Sequence, residues 1–448
     1  MPVTSSSAPT ARARRLTTTF YLYAFLDDFV LLYPVYALLF TDTGLSVAQI
    51  SSLFVVWSLT GILLEVPSGV WADAVSRRLL LAVAPLLGAV GFGLWVAAPS
   101  YWVFALGFVL WGVRGALQSG AAEALLYDEL DRLGLADRYG RVIGRASTVS
   151  LLGALLAIAV ATPVFAAGGY PAVGVASVLA SLLCAVVGLA LPEHRTPAPG
   201  VGVPTGPETA DPGPDRAADG FVAASGELLR VAPAPPVAED RSPGPLAILR
   251  VALAEARNSP AVRRALLLLP AMLGIWGGLE EYLPLLAGEV TPTAGVPLLV
   301  LLVWAGVMLG GLLTPLGQRL TARRFGAAVG AAAIALAVGA LAGRPAGFVL
   351  VAAAFCVLQM ASLVADVRLQ ESITGPARAT VTSLAGLGTE LVTIGVYGGY
   401  ALAATVAGHG MVFALLACPY LVLAVALRRA GASGERRRTG AGGLAAVE

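Results

Sequence analysis

Carboxylates lie inside stretches of this chain that are otherwise apolar enough for lipid, and each needs a chemical reason to be there. Asp27 and Asp28 sit near the middle of the run 16–40, Glu280 and Glu281 near one end of 262–287, and Glu390 well inside 381–407. Arg114 stands halfway along 101–126, at the depth of the two aspartates. A charge in hydrocarbon costs several kcal/mol, so each is expected to be paired, to line a wet cavity, or to handle protons or ligands. Helical neighbours point about 100° apart, so only one of Asp27 and Asp28 is expected to face inward. Tyr23, Tyr33 and Tyr36 are placed to donate hydrogen bonds to a carboxylate. Glu280 and Glu281 are flanked by Trp276, Tyr282 and glycines. That setting fits an acidic, aromatic cavity wall or an interfacial helix end.

A second set of charges lies between two apolar runs, in GVWADAVSRR at 69–78. Asp73 is followed four and five residues later by Arg77 and Arg78, and Glu65 precedes them in LEVPSG. The plain reading is an anchor fixing the chain's orientation in the membrane. Asp128 and Glu129, in EALLYDELDR, read as solvated acids beside Arg132 or the loop arginines. Asp366 and Arg368 read as pairing locally or with the loop.

The elements that must carry these groups are membrane helices. Hydrophobic residues make up 57% and charged residues 12% of the chain, and the mean hydropathy is +0.81, beyond what a soluble domain carries. With about 20 apolar residues needed per crossing, about twelve runs can be drawn. They are 16–40, 47–70, 79–98, 101–126, 142–167, 171–191, 262–287, 296–318, 325–342, 346–369, 381–407 and 411–427. The polar segment 1–15 and the length of the first run do not match a signal peptide. Arginines gather in alternate loops, with Arg344 alone in the others, which by the positive-inside rule places both termini in the cytoplasm. The net charge of +2 thus reports orientation and not nucleic-acid binding.

The chain contains no lysine, so no P-loop of the GK[ST] kind exists. His194 and His409 fall in different halves, Cys184, Cys356 and Cys418 lie singly in apolar runs, and no Ser/His/Asp grouping is visible. A metal site and an integral-membrane enzyme are therefore not expected, nor any cofactor.

Between 192 and about 245 the chain turns rich in Pro, Gly and Ala, as a disordered linker does. Leu246, Leu249, Leu253 and Ala256 then recur at helical spacing, predicting an amphipathic helix near 245–257. The linker separates six runs from six. PLGQRLTARR at 315–324 occupies after the eighth run the place of GVWADAVSRR after the second.

The spacing of Gly69, Asp73, Arg77 and Arg78 resembles the loop 2–3 signature of the major facilitator superfamily, G-x-x-x-D-[RK]-x-G-R-[RK], with Ala74 and Ser76 departing from it. RGALQSG from Arg114 resembles that family's span-four motif R-x-x-Q-G, with Gln118 one residue late. EALLYDEL at 123–130 resembles drug-efflux branches, whereas the span-five antiporter motif G-x-x-x-G-P-x-x-G is not clearly present in LLGALLAIAVATP. The resemblance implies an all-α integral membrane protein, with twelve transmembrane helices in two six-helix halves. The divisions would be a tail at 1–15, halves at 16–191 and 262–429, a linker at 192–261 and a tail at 430–448.

It further implies a conformational latch of Glu65, Gly69, Asp73, Arg77 and Arg78. Asp27 or Asp28 with Arg114 would form a proton-coupling pair, a static ion pair being the rival reading. The substrate cavity would draw on Tyr23, Tyr33, Tyr36, Gln118, Glu280, Glu281 and Glu390. The implied function is proton-coupled export of an amphipathic organic compound or drug by alternating access. The carrier would act as a monomer in the plasma membrane, on a proton gradient. An importer or uniporter of a small nutrient, and a non-transporting receptor or sensor, are the alternatives.

Overall fold

A computed structural model describes residues 7–194, 259–373 and 378–444, with the side chains of 7–10, 65–74, 260–261, 378–379 and 430–444 outside the description. The first crossing is not one helix. Helix α1 (Ser7–Asp27) stops at the acid pair, and α2 (Tyr36–Asp42) resumes after an irregular stretch. Pro34 has no N–H and disfavours helical backbone at Tyr33, so helix cannot run through. In lipid the freed backbone groups need partners within the protein. Val35 N–H donates to Leu32 O at 3.1 Å. Leu32 N–H reaches the buried Ser177 Oγ at 3.0 Å, and that hydroxyl donates to Val173 O at 2.7 Å.

The second half repeats the device. Helix α8 (Pro260–Glu280) ends at the other acid pair, the chain turns at Glu281 and Tyr282, and α9 (Leu283–Gly288) carries Pro284 in its first turn. The runs 16–40 and 262–287, expected as continuous crossings, are thus each broken at their carboxylates.

Helix α3 (Val47–Ala74) runs through most of the expected loop, leaving only Val75 and Ser76 before α4 (Arg77–Ala97). Ser76 makes so short a turn workable, since its Oγ accepts from Leu79 N at 3.2 Å as an N-cap. Helices α5 (Tyr101–Gln118) and α6 (Ala121–Arg132) meet at Gly120, whose φ of 73° suits glycine. Helix α7 (Tyr139–Leu189) joins two crossings across Gly168 and Gly169, the latter at φ 60°.

The rest of the second half comprises α10 (Val296–Leu312), α11 (Thr314–Gln318) and α12 (Ala322–Leu341). It ends with α13 (Gly347–Ser372), α14 (Arg378–Ala403) and α15 (His409–Leu444). Among the described residues, nine helices are long and apolar enough to cross a membrane, one of them spanning both crossings of α7. The broken first crossing and α14 complete a twelve-helix fold in two halves of six. No strand occurs among the described residues.

Helix also enters both segments expected as tails, from Ser7 at one end and to Leu444 at the other. The amphipathic helix expected near 245–257, with most of the linker, lies outside the described residues.

Within the halves, α4 packs on α5 and α7, and α12 on α13 and α15. Gly306 and Gly310 let α10 lie on α13, because a Cβ on either would strike the carbonyl oxygens of Ala352 or Cys356. The halves meet through α3 with α14, α7 with α10, and α2 with α9.

Candidate functional site

The break in the first crossing sends its two aspartates to different tasks. Arg114, buried on α5, donates through Nη2 to Asp27 Oδ1 at 2.5 Å and to Asp27 O at 2.6 Å. Gln118 Nε2 adds a bond to the same Oδ1 at 2.6 Å and one to Tyr23 Oη at 2.9 Å. The second guanidinium nitrogen, Nη1, has no hydrogen-bond partner among the described residues. A Cβ on Gly88 would come within 2.9 Å of it, so glycine makes the room for Arg114. Asp27 is thereby enclosed in a network linking α1 to α5.

Asp28 turns the other way. It accepts from Ser150 Oγ on α7 and lines a cavity of about 420 Å³ between the two halves. From the first half the cavity is walled by Tyr33, Tyr36, Trp57 and Trp111, and from the second by Glu280, Glu281, Pro284 and Trp304. Tyr33 stacks on Trp111 with ring centroids 5.2 Å apart, and Trp57 lies 5.2 Å from the same ring. A second chamber of about 590 Å³ shares Trp57, Trp111, Glu280 and Glu281, and adds Gly61, Ser119, Thr389, Glu390 and Tyr397. Tyr23 and Gln118, expected on the cavity, line neither chamber because both are engaged around Asp27. Tyr33, Tyr36, Glu280, Glu281 and Glu390 do line one or both.

One end of the cavity is closed by bonds between the halves. Tyr36 Oη donates to Glu281 Oε2, and Ser51 Oγ lies 2.6 Å from Tyr282 Oη. Phe54 packs 5.3 Å from Tyr282 and from Tyr397, and Tyr282 stacks on Tyr400 at 3.6 Å. Tyr36 opens α2, Ser51 and Phe54 lie in the first turns of α3, Glu281 and Tyr282 form the break after α8, and Tyr397 and Tyr400 lie near the end of α14, all at the end opposite the chain termini. The second chamber extends the other way, toward Gly61, Ile62 and Ser119.

At the terminus-bearing end, the side chains of Glu65, Gly69 and Asp73 lie outside the described residues. Arg77 makes further bonds at this end. Arg77 Nη1 pairs with Asp128 on α6, and Arg77 N–H donates to Glu193 Oε1 at 2.9 Å. Ser76 Oγ donates to the other oxygen of the same carboxylate. An acid at a helix N-terminus also meets the helix dipole favourably. Arg78 is exposed.

Glu129 corrects its reading as a solvated acid. It is only 4% exposed, accepts from His194 N at 2.6 Å and lies 3.8 Å from Arg132 Nε. The burial follows from the chain leaving α7, which folds Glu193 and His194 back over α4 and α6.

The sequence reading missed Ser150, Trp57, Trp111, Trp304 and Glu193. In an apolar run, nothing separates a cavity-facing tryptophan from a lipid-facing one. Glu193 carried a weak signal, as the acid just past the last apolar residue of the half.

A family model described as Major Facilitator Superfamily matches residues 18–394. No curated protein matches the chain. Among solved structures, the nucleoside transporter NupG is similar at TM-score 0.64 and 15% identity, covering 93% of this chain and 98% of its own. A bacterial homologue of the human lysosomal transporter Spinster, inward-facing and unoccupied, is similar at TM-score 0.63 and 15% identity, covering 95% and 97%. The POT family transporter PepTSo is similar at TM-score 0.62 and 12% identity, covering 95% and 98%. At such identities these likenesses speak for the fold alone.

Proposed function

The chain belongs to the major facilitator superfamily, and on that premise we propose that it is a secondary carrier exporting an amphipathic organic compound in exchange for protons. The single observation carrying this reading is the cavity between the halves, with carboxylates from both and closed at one end by Tyr36–Glu281 and Ser51–Tyr282. A carrier alternates by closing one end of such a cavity while opening the other. Placed in the plasma membrane with both termini cytoplasmic, the chain in this state faces the cytoplasm, where an exporter loads.

Asp28 is the coupling acid in this reading. It is the carboxylate of the first crossing that reaches the cavity, and Ser150 beside it is able to donate to the ionised form or accept from the protonated one. Asp27, held by Arg114 and Gln118, fixes the break in place. Substrate and proton compete for Asp28, so loading one expels the other. Aromatic walls favour a ligand with flat apolar surface over a small sugar-like solute.

Reconstituted vesicles with an imposed pH gradient test the reading. An acidic lumen should drive accumulation of an amphipathic substrate, and collapse of the gradient with an ionophore should release it. Accumulation that ignores the gradient, or a strict preference for polar nutrients moving inward, would favour the importer alternative.

A further inference from the structure

We propose that the substrate is an organic dication, with one basic nitrogen seated at Asp28 of the first half and the other at Glu280 and Glu281 of the second. The proposal rests on the carrier reading and names the chemistry of its ligand. The charge balance of the site is one-sided. Asp28, Glu280 and Glu281 line the first chamber and Glu390 joins in the second, while among the described residues no arginine or histidine lines either. Arg114, the buried base of this region, is committed to Asp27. Among the described residues Glu280 has no hydrogen-bond partner, although it borders both chambers. Carboxylates in so apolar a place call for cations to meet them.

The acids do not converge on a point. Among the described residues no three His, Cys, Asp or Glu side chains come together closely enough to hold a metal ion. They come from different halves, Asp28 from the first and Glu280 and Glu281 from the second, and Tyr33, Tyr36, Trp57, Trp111 and Trp304 line the same cavity. Aromatic faces attract alkylated or delocalised cations as well as apolar rings. A cavity of about 420 Å³ admits a compact aromatic diamine. Helix polarity acts in the same sense, because α1 and α8, each of 21 residues, both end at these breaks. Each presents the carbonyl-rich, negative end of its dipole there.

A ligand with one charge would satisfy one wall and leave the other half's carboxylates unmet. A ligand with two satisfies both walls and ties together the two bodies that must move. The second nitrogen also competes with Tyr36 for Glu281, so loading loosens a bond that holds the far end shut.

The test uses the full-length protein in detergent and two probes of permanent charge. These are 1,4-bis(trimethylammoniomethyl)benzene and benzyltrimethylammonium, with binding followed by tryptophan fluorescence. The dication should bind about tenfold tighter or better in the unmutated protein. Asp28→Asn and Glu281→Gln should each bring its affinity down to the range of the monocation. Equal affinity for the two probes in the unmutated protein overturns the proposal, as does displacement of the dication by sodium at equal charge. Flux separates this from the carrier reading. Tight dication binding without transport under a pH gradient refutes the carrier and leaves the ligand class standing. Gradient-driven transport of other compounds with no preference for the dication refutes the ligand class and leaves the carrier.

Discussion

Two adjacent aspartates, one residue step apart, meet different partners. Asp27 accepts from Arg114 and Gln118, and removing its charge would leave a buried guanidinium unpaired. Breaking such a pair from one side costs about 3–5 kcal/mol. Asp27→Asn is therefore expected to lower thermal stability in detergent and the yield of folded protein. Asp28→Asn, which keeps the size of the side chain beside Ser150, should leave stability near that of the parent. It should instead abolish accumulation driven by a pH gradient, while downhill exchange survives. Thermal unfolding and vesicle flux, measured on both variants, check the division. The opposite assignment, with Asp28→Asn unstable and Asp27→Asn uncoupled, would make Asp27 the coupling acid.

Much of this was readable at the residue scale, since buried carboxylates and an arginine at one depth stand out against apolar runs. Which aspartate met Arg114 was not readable. The break after Asp27 rotates the following residues away from the helical 100° step, so a helical wheel cannot place Asp28. Gln118 bonds to both Tyr23 and Asp27, and neither Tyr23 nor Gln118 lines a chamber.

At the scale of elements, the two interrupted crossings are the fold's most demanding feature. Pro34 and Pro284 both follow an acid pair within a few residues, and that signal lay in the sequence unused. An irregular segment inside a membrane is stable only if its backbone groups are met by protein. Ser177 does this for Leu32, from the second crossing of α7, and is fully buried while doing so. Ser177→Ala removes the acceptor and should cost about 1–3 kcal/mol, seen as a lower Tm in detergent. Ser177→Thr, which restores a hydroxyl, should recover part of the loss if the added methyl is tolerated. An unchanged Tm for Ser177→Ala would mean that Leu32 N–H finds another partner. The clip at the other end holds partners that a short motif does not name. Its motif predicts a latch in which Asp73 takes part, and the Asp73 side chain lies outside the described residues; among the described residues Arg77 bonds to Asp128 and Glu193. Glu193 is distant in sequence, and only the path of the chain out of α7 brings it back.

At the scale of the whole molecule, the fold class followed from counting apolar runs, because lipid permits few solutions besides helices. The state of the cavity did not follow, because open and closed ends differ in inter-half contacts that leave no periodic trace. Here α2 meets α9 at the closed end, with Leu38 lying against Gly288. If the halves rock, this contact must separate in every cycle. A variant carrying Leu38→Cys and Gly288→Cys, with Cys184, Cys356 and Cys418 replaced by alanine, would place two thiols across the junction. Bridging them with a short bifunctional methanethiosulfonate should stop transport almost completely. Substrate should still bind, because the second chamber opens the other way. Reduction should restore flux in the same sample, and each single-cysteine variant should be indifferent to the reagent. Transport that continues at full rate with the bridge in place would mean that this contact does not separate in the cycle and that the ligand leaves by another route, with the halves moving about a different junction.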